Sequence, residues 1–305
     1  MADTRTFRVE AVHGSEASGI VSNSFLEYLS ESRLGFIAAG GMPIDLMAEE
    51  PRLGEGERMS AAKKPGLPPG PIKPFDLAVA CCLYEEMTPY ARSLERFRFA
   101  TGPALNLGRE VHRRVLLQFL NDWGCRNLAT EWHEMALDAL DSWYSDAHGQ
   151  LRRDGDSVKI DGGDFDGLAG VFDSLSKRIA AKKTRKGQKL LVSFGPTATS
   201  KSLFALRPHA LPAWDGPMRK AFGYDDGGDS YVQFAKDVHG KIAETGHWCR
   251  ERGFDLCDLP ANLGRPAYTT VAQLIIEYYW ITETRGVSLP QRDVVRNWLS
   301  WCDRG

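Results

Sequence analysis

The stretch Leu190–Gly223, LLVSFGPTATSKSLFALRPHALPAWDGPMRKAFG, organises the chain. It predicts an apolar helix end, a tight turn at Ser193–Gly195 and a second helix that begins at Pro196. Proline suits the first position of a helix because its missing N–H would have no partner there. The turn leaves backbone N–H groups at the positive end of the second helix, where a phosphate binds well. A proline-rich crossing then leads to one carboxylate, Asp215.

The order and spacing of these features resemble the helix-hairpin-helix DNA glycosylase superfamily, which includes endonuclease III, the adenine glycosylase MutY and the alkyladenine glycosylases. In that superfamily a hairpin is followed by a helix, an apolar stretch ending in proline, and a catalytic aspartate. Gly195 and Asp215 are twenty residues apart, as in the superfamily, and Pro212 precedes the aspartate by three. Ser193 and Val192 stand where the superfamily has its first hairpin glycine and the proline.

The resemblance implies an all-α fold with two helical lobes around a cleft, and it implies that Asp215 is the catalytic carboxylate. Breaking an N-glycosidic bond leaves positive charge on the sugar, and a nearby carboxylate stabilises that charge most in the transition state. Trp214 either packs beneath Asp215 or faces the substrate pocket, and Tyr278 is a second pocket candidate that core packing explains equally well. The residues that would bind the DNA backbone are Ser193, Phe194, Gly195, Thr197, Lys201, Arg219 and Lys220.

Superfamily members that also nick the strand carry a lysine two residues after the second hairpin glycine, where this chain has Thr197. The resemblance therefore implies a monofunctional enzyme that leaves an intact abasic site. Endonuclease III and MutY also hold an iron–sulfur cluster on four cysteines. The six cysteines of this chain lack that spacing and include no C-x-x-C pair, so we expect no metal and no other cofactor.

The charge of the chain is unevenly distributed. The formal net charge is −2, yet residues 177–220 contain eleven lysines and arginines and only one acid, Asp215. This segment therefore carries +10, and the rest of the chain carries −12. Such a basic segment around a phosphate-binding turn favours a nucleic-acid partner, although a solvated basic loop is the simpler interpretation.

The 305 residues divide into a loop-rich N-terminal segment, 1–74, and a helical core, 75–305. Glycine and proline interrupt the first part, whereas apolar residues repeat at helical spacing in the second. The core would contain the helix-hairpin-helix at about 188–207 and the Pro…Asp segment at 208–223. No signal peptide and no apolar run of membrane-spanning length is visible, so we expect a cytoplasmic monomer without membrane contact.

Three functions fit these observations. The first is a DNA glycosylase that flips out a damaged, mismatched or modified base, either in repair or in defence against phage DNA with hypermodified bases. The second is an N-glycosidase for a free nucleoside, a nucleotide or RNA. The third is a non-enzymatic helix-hairpin-helix protein that binds DNA, in which Asp215 only caps the helix that starts at Gly216.

Overall fold

The computed structural model describes residues 65–102, 105–125, 128, 133–147, 149–151, 165–185 and 188–302. All of them belong to one compact unit, Gly56–Gly305. The predicted loop-rich segment 1–74 lies almost wholly outside the described residues. The described part is mostly helical and contains one two-stranded sheet. None of its helices combines the length and the apolar character needed to cross a membrane.

Four helices form the first half of the described chain, in the part of the sequence where apolar residues repeat at helical spacing. Proline occupies the first turn of the first helix and the position before the second, where a missing N–H has no cost. These helices are α1 (Pro74–Met87), α2 (Tyr90–Thr101), α3 (Glu110–Asp122) and α4 (His133–Ala147).

The second half places a β-hairpin between two helices and then continues with helices alone. The elements around the hairpin are α5 (Leu168–Lys177), β1 (Ile179–Arg185), β2 (Gln188–Ser193), α6 (Gly195–Leu206) and α7 (Gly216–Phe222). The later elements are α8 (Gly228–Arg250), a 3₁₀ turn (Leu256–Asp258), α9 (Leu259–Asn262), α10 (Val271–Tyr279), a π-helical turn (Trp280–Thr284) and α11 (Arg292–Cys302).

The predicted helix-hairpin-helix at 188–207 is wrong in its first half. Residues 188–193 form strand β2, which pairs antiparallel with β1, for example Lys182 with Leu191. The helix at Gly195–Leu206 is present, but the helix before it ends at Lys177. Consecutive lysines in β1 and consecutive leucines in β2 break the alternation by which a strand is recognised from sequence. The link between α5 and α6 is therefore a β-hairpin and not a three-residue turn.

The two helices on either side of the hairpin pack against each other and share an aromatic core with α8. Phe172 of α5 stacks on Tyr231 of α8 with ring centroids 4.6 Å apart. Trp214, from the segment between α6 and α7, lies edge-on to both rings and beside Phe234. Burial of such large rings supplies most of the driving force for folding in this region.

A buried ion pair joins α10 to the loop before it and to α1. Arg265 donates to Glu277 at 2.7 Å, to the backbone oxygen of Cys81 at 2.8 Å, and to Glu85. Gln273 donates to the other carboxylate oxygen of Glu277 at 2.9 Å. Only 2% of Glu277 is exposed, and this burial raises the pKa of its carboxyl. The pair is thus satisfied only while both partners are present.

Replacing Arg265 by methionine should destabilise the protein by about 3–5 kcal/mol, because Glu277 would remain buried without its partner. A carboxyl with a raised pKa favours folding below its ordinary pKa and loses that contribution as the pH rises through the folded value. The loss of stability in the Arg265→Met variant should therefore be larger at about pH 8 than at about pH 5. Urea unfolding at both pH values measures it.

Arg252→Met is the matched control. Arg252 is exposed, and its guanidinium lies over the Trp248 ring, 3.7 Å from the centroid. Its replacement also removes an exposed ion pair with Glu251, at 3.5 Å, and should change stability by no more than about 0.5 kcal/mol at either pH. Equal losses in the two variants would contradict a special role for the buried pair.

Candidate functional site

The segment that ends in Asp215 is fastened to the first turns of α6. The Ser200 hydroxyl accepts the Trp214 N–H at 3.2 Å, and its own proton lies within reach of the backbone oxygens of Trp214, at 3.1 Å, and Thr197, at 3.0 Å. The indole N–H of Trp214 donates to the backbone oxygen of Pro196 at 3.2 Å. Two side chains therefore fix the residue before Asp215 against the N-terminus of α6.

The crossing from α6 to Asp215 has no regular structure, so its carbonyls need partners from elsewhere. Thr270 donates to the oxygen of Pro208 at 3.0 Å, and Tyr231 donates to the oxygen of Pro212 at 3.0 Å. The imidazole Nε2 of His239 lies 2.7 Å from the oxygen of Ala210. Side chains from α8 and from the start of α10 thus hold the crossing along its length.

Asp215 is the N-cap of α7. Its backbone is extended, and Oδ1 accepts the N–H of Met218 at 2.8 Å. The side chain is half-buried, and its second carboxylate oxygen accepts no hydrogen bond among the described residues. The capping role foreseen from sequence is confirmed, and one oxygen of the same carboxylate stays available for other chemistry.

The turn before α6 faces open space. Gly195 has a φ of +70°, which favours glycine, and no atom lies within 4 Å of the position that a Cβ would occupy there. The N–H groups of Gly195 and Thr197 find no acceptor among the described residues, whereas the N–H of Phe194 donates to the oxygen of Arg178 at 3.0 Å. A helix N-terminus with two open amides thus lies next to the Asp215 segment.

Arg219 connects the two helix N-termini. It is buried, with 8% exposed, and donates to Thr197 Oγ1 at 3.3 Å while Asp226 accepts from it at 2.9 Å. Its guanidinium also lies 5.2 Å from the centroid of the Trp214 ring. Burial lowers the pKa of Arg219, and the negative charges of Asp226 and Asp215 partly offset this effect. Arg219 is therefore a positioning cation and not an exposed DNA contact.

The other predicted DNA contacts fall into two groups. Ser193, Gly195 and Thr197 are partly exposed at the turn, and Lys220 is exposed on α7. Phe194 is buried, so only its neighbours can meet a ligand. Lys201 points away from the turn: its ammonium donates to the backbone oxygen of Trp123 and lies 5.2 Å and 5.9 Å from the centroids of the Trp123 and Tyr90 rings.

Of the two alternatives for Trp214, the substrate-facing one is wrong. Only 1% of Trp214 is exposed, and its indole is enclosed by rings from α5 and α8, so the packing alternative is confirmed. The area gained by burying an indole explains the outcome. Tyr278 is half-buried with its ring edge-on to that of Tyr279, at 5.2 Å, and burial raises the pKa of its phenol.

Sequence reasoning missed Ser200 as a positioning residue. A small polar residue inside a helix usually bonds its own helix, so nothing in the sequence distinguishes Ser200 from Ser202. Only the fold shows that Ser200 faces the Trp214 backbone, while Ser202 donates to Ala198 of its own helix at 2.8 Å. Across the described residues, no three histidine, cysteine or acidic side chains converge as a metal site would require.

Ser200→Ala should lower the free energy of unfolding by about 1–3 kcal/mol, because it leaves the buried N–H of Trp214 without an acceptor. It should also shift Asp215 relative to the turn. Chemical denaturation measures the first effect, and hydrogen exchange of the Trp214 amide should become faster.

Ser202→Ala provides the control, because both serines are fully buried in α6. Loss of the Ser202 hydroxyl removes only a hydrogen bond within the helix, and it should leave hydrogen exchange of the Trp214 amide unchanged. The anchoring role of Ser200 would be contradicted if the two variants had the same exchange rates at this amide.

Comparisons of the chain with protein-family models, with curated proteins and with solved structures found no match.

Proposed function

We propose that this protein is a monofunctional DNA glycosylase, which extrudes a damaged or modified base and hydrolyses its N-glycosidic bond. One observation carries the proposal. Asp215, one of whose carboxylate oxygens has no hydrogen bond among the described residues, follows a residue that hydrogen bonds fix beside a helix N-terminus whose open amides suit a phosphate. Phosphate binding at that turn would bring the sugar of a bound nucleotide near the carboxylate.

Asp215 would act at the sugar. As the base leaves, positive charge develops on C1′ and O4′, and a fixed carboxylate stabilises that charge without having to reorganise. The same oxygen could orient or deprotonate the water that attacks C1′. The duplex hides this bond, so the nucleotide must be turned out of the stack while the turn holds the backbone.

The positions of the lysines support hydrolysis without strand cleavage. Cleavage through a Schiff base needs an amine at the sugar carbon. Thr197 stands at the position of the superfamily's lysine, and its hydroxyl is engaged by Arg219. The Lys201 ammonium is bound to the oxygen of Trp123 instead. We therefore propose that the product is an intact abasic site.

The capping bond of Asp215 supports a second candidate, a DNA-binding protein without catalysis. A cap needs only the carboxylate oxygen that accepts the Met218 N–H, and the open amides of the turn would bind DNA equally well in this case. An N-glycosidase for nucleosides, nucleotides or RNA would keep the chemistry and change the substrate. Salt separates DNA from nucleoside substrates, because only a polyanion loses affinity steeply as salt rises.

The identity of the excised base can be determined directly. A panel of duplexes with damaged, mismatched and modified bases, including phage genomes with modified cytosines, tests repair against defence by assay of abasic sites. Release of no base from any member of the panel, by protein that binds the duplexes, would leave the DNA-binding candidate.

Asp215→Asn should reduce base release by about 100-fold or more while leaving DNA affinity intact, because a neutral amide cannot stabilise the developing charge. Asparagine caps a helix about as well as aspartate, so the unfolding free energy should change by less than about 0.5 kcal/mol. Single-turnover release and denaturant unfolding measure the two quantities.

Asp255→Asn is the matched control. Asp255 caps the 3₁₀ turn through the N–H of Cys257 at 2.9 Å, in the same way that Asp215 caps α7. Its variant should keep full base release. A normal rate in Asp215→Asn would exclude Asp215 as the catalytic group.

Gly195→Asp and Gly195→Asn test the turn as the phosphate anchor. Both variants carry the same backbone strain at positive φ, and neither side chain meets a neighbour at Cβ. Only the aspartate places a negative charge where a phosphate would lie, so it should bind DNA about tenfold or more weaker than the asparagine variant. Equal affinities in a salt titration would count against the turn as the anchor.

A further inference from the structure

The two strands between α5 and α6, here called the ribbon (Ile179–Arg185 and Gln188–Ser193), are anchored where they meet the helices and exposed further along. Ala180 and Ala181 are buried, and β1 packs on α4. Just before β1, Arg178 binds Asp146 of α4 at 2.6 Å. Beyond this anchor, the described side chains on both strands face solvent.

The exposed part of the ribbon combines cations with large apolar side chains. Lys182, Lys183 and Lys189 are exposed, and none has an acidic partner among the described residues. Leu190 is 43% exposed and Leu191 is 65% exposed. The register places Leu191 opposite Lys182 and Leu190 opposite Lys183, so each face of the ribbon carries a leucine beside a lysine.

This pairing points to a particular kind of partner. Exposed leucines favour contact with an apolar surface of a partner, and lysines without acidic neighbours favour contact with its anionic groups. A second copy of the ribbon would oppose lysines to lysines, which disfavours self-association. Duplex DNA offers both requirements, with phosphates outside and a stack of apolar base faces inside.

The position of the ribbon favours DNA further. Its second strand ends at Ser193, and the open turn before α6 begins there. A duplex whose phosphate binds at Gly195 would therefore pass beside the ribbon. Proteins that kink DNA commonly insert an apolar side chain between base steps in this way.

We propose that the ribbon is a second DNA contact, in which the lysines bind phosphates and Leu191 inserts into the base stack beside the nucleotide held at the turn. The inference rests on the proposed function in taking DNA as the ligand, but it does not need Asp215 to be catalytic. Leu191 would fill the space that an extruded nucleotide leaves and so keep it from returning.

The lysines are tested by salt dependence. The double variant Lys182→Gln with Lys189→Gln should lower the slope of log affinity against log salt by about two, or about one for each lost phosphate contact. The control double variant, Lys73→Gln with Lys236→Gln, also removes two exposed lysines and should leave the slope unchanged. Equal slopes in the two double variants would overturn the proposal.

Leu191 is tested by base unstacking. The probe is a duplex with a tetrahydrofuran abasic analogue opposite 2-aminopurine, whose fluorescence rises when it is unstacked. Leu191→Gln should bind with the wild-type salt slope and lose the fluorescence rise. Met87→Gln replaces another exposed apolar side chain, 41% exposed, and should keep the rise. A full rise in Leu191→Gln would overturn the insertion.

The experiment separates this inference from the proposed function. If the ribbon variants lose binding or unstacking but no base is released from any duplex, the ribbon stands and the glycosylase proposal fails. If bases are released and the ribbon variants behave as wild type, the ribbon proposal fails alone. Binding of the ribbon to vesicles of anionic lipid with no effect of its lysines on duplex binding would also overturn it.

Discussion

The Ser200 hydroxyl is the interaction on which the candidate site depends. It bonds both backbone groups of Trp214 and so ties a segment without regular structure to the first turns of α6. Without this hydroxyl, the buried N–H of Trp214 would lack an acceptor, and the residue before Asp215 would lose its backbone hydrogen bonds to α6. The Ser200 hydroxyl sets the distance between the open amides of the turn and the carboxylate together with two other contacts between these segments. The Trp214 indole donates to the oxygen of Pro196, and Arg219 donates to Thr197.

Trp214 links the candidate site to the hydrophobic core. Its indole lies among rings of α5 and α8, and its N–H reaches the carbonyl of Pro196. A substrate-facing indole would have lost this packing. The site therefore rests on a buried aromatic cluster, and the groups open to a ligand, the turn amides and one oxygen of Asp215, lie beside the residue that anchors it there.

The sequence predicted the parts of this site that depend on local rules. Apolar spacing located most of the helices, proline marked the start of α6, and a helix cap at the residue before Gly216-Pro217 was among the alternatives that the sequence offered. Prediction from sequence failed where contacts between distant residues determine the structure. Lysines and leucines in consecutive pairs concealed two strands, and the burial of Arg219 follows from Thr197, Asp226 and Trp214, which meet only in the fold. The sequence likewise could not show that Ser200 faces the backbone of Trp214 while Ser202 bonds only its own helix.

Capping and catalysis are compatible roles for Asp215. A cap occupies one carboxylate oxygen and fixes the side-chain rotamer through the N–H of Met218, so the direction of the other oxygen is fixed as well. Electrostatic stabilisation works best when the charged group need not move as the reaction proceeds. A carboxylate held by a helix N-terminus, on a backbone that is itself held by Ser200, meets that requirement. The capping bond, which a purely structural role also explains, is therefore compatible with the proposed action of Asp215 at a reacting sugar.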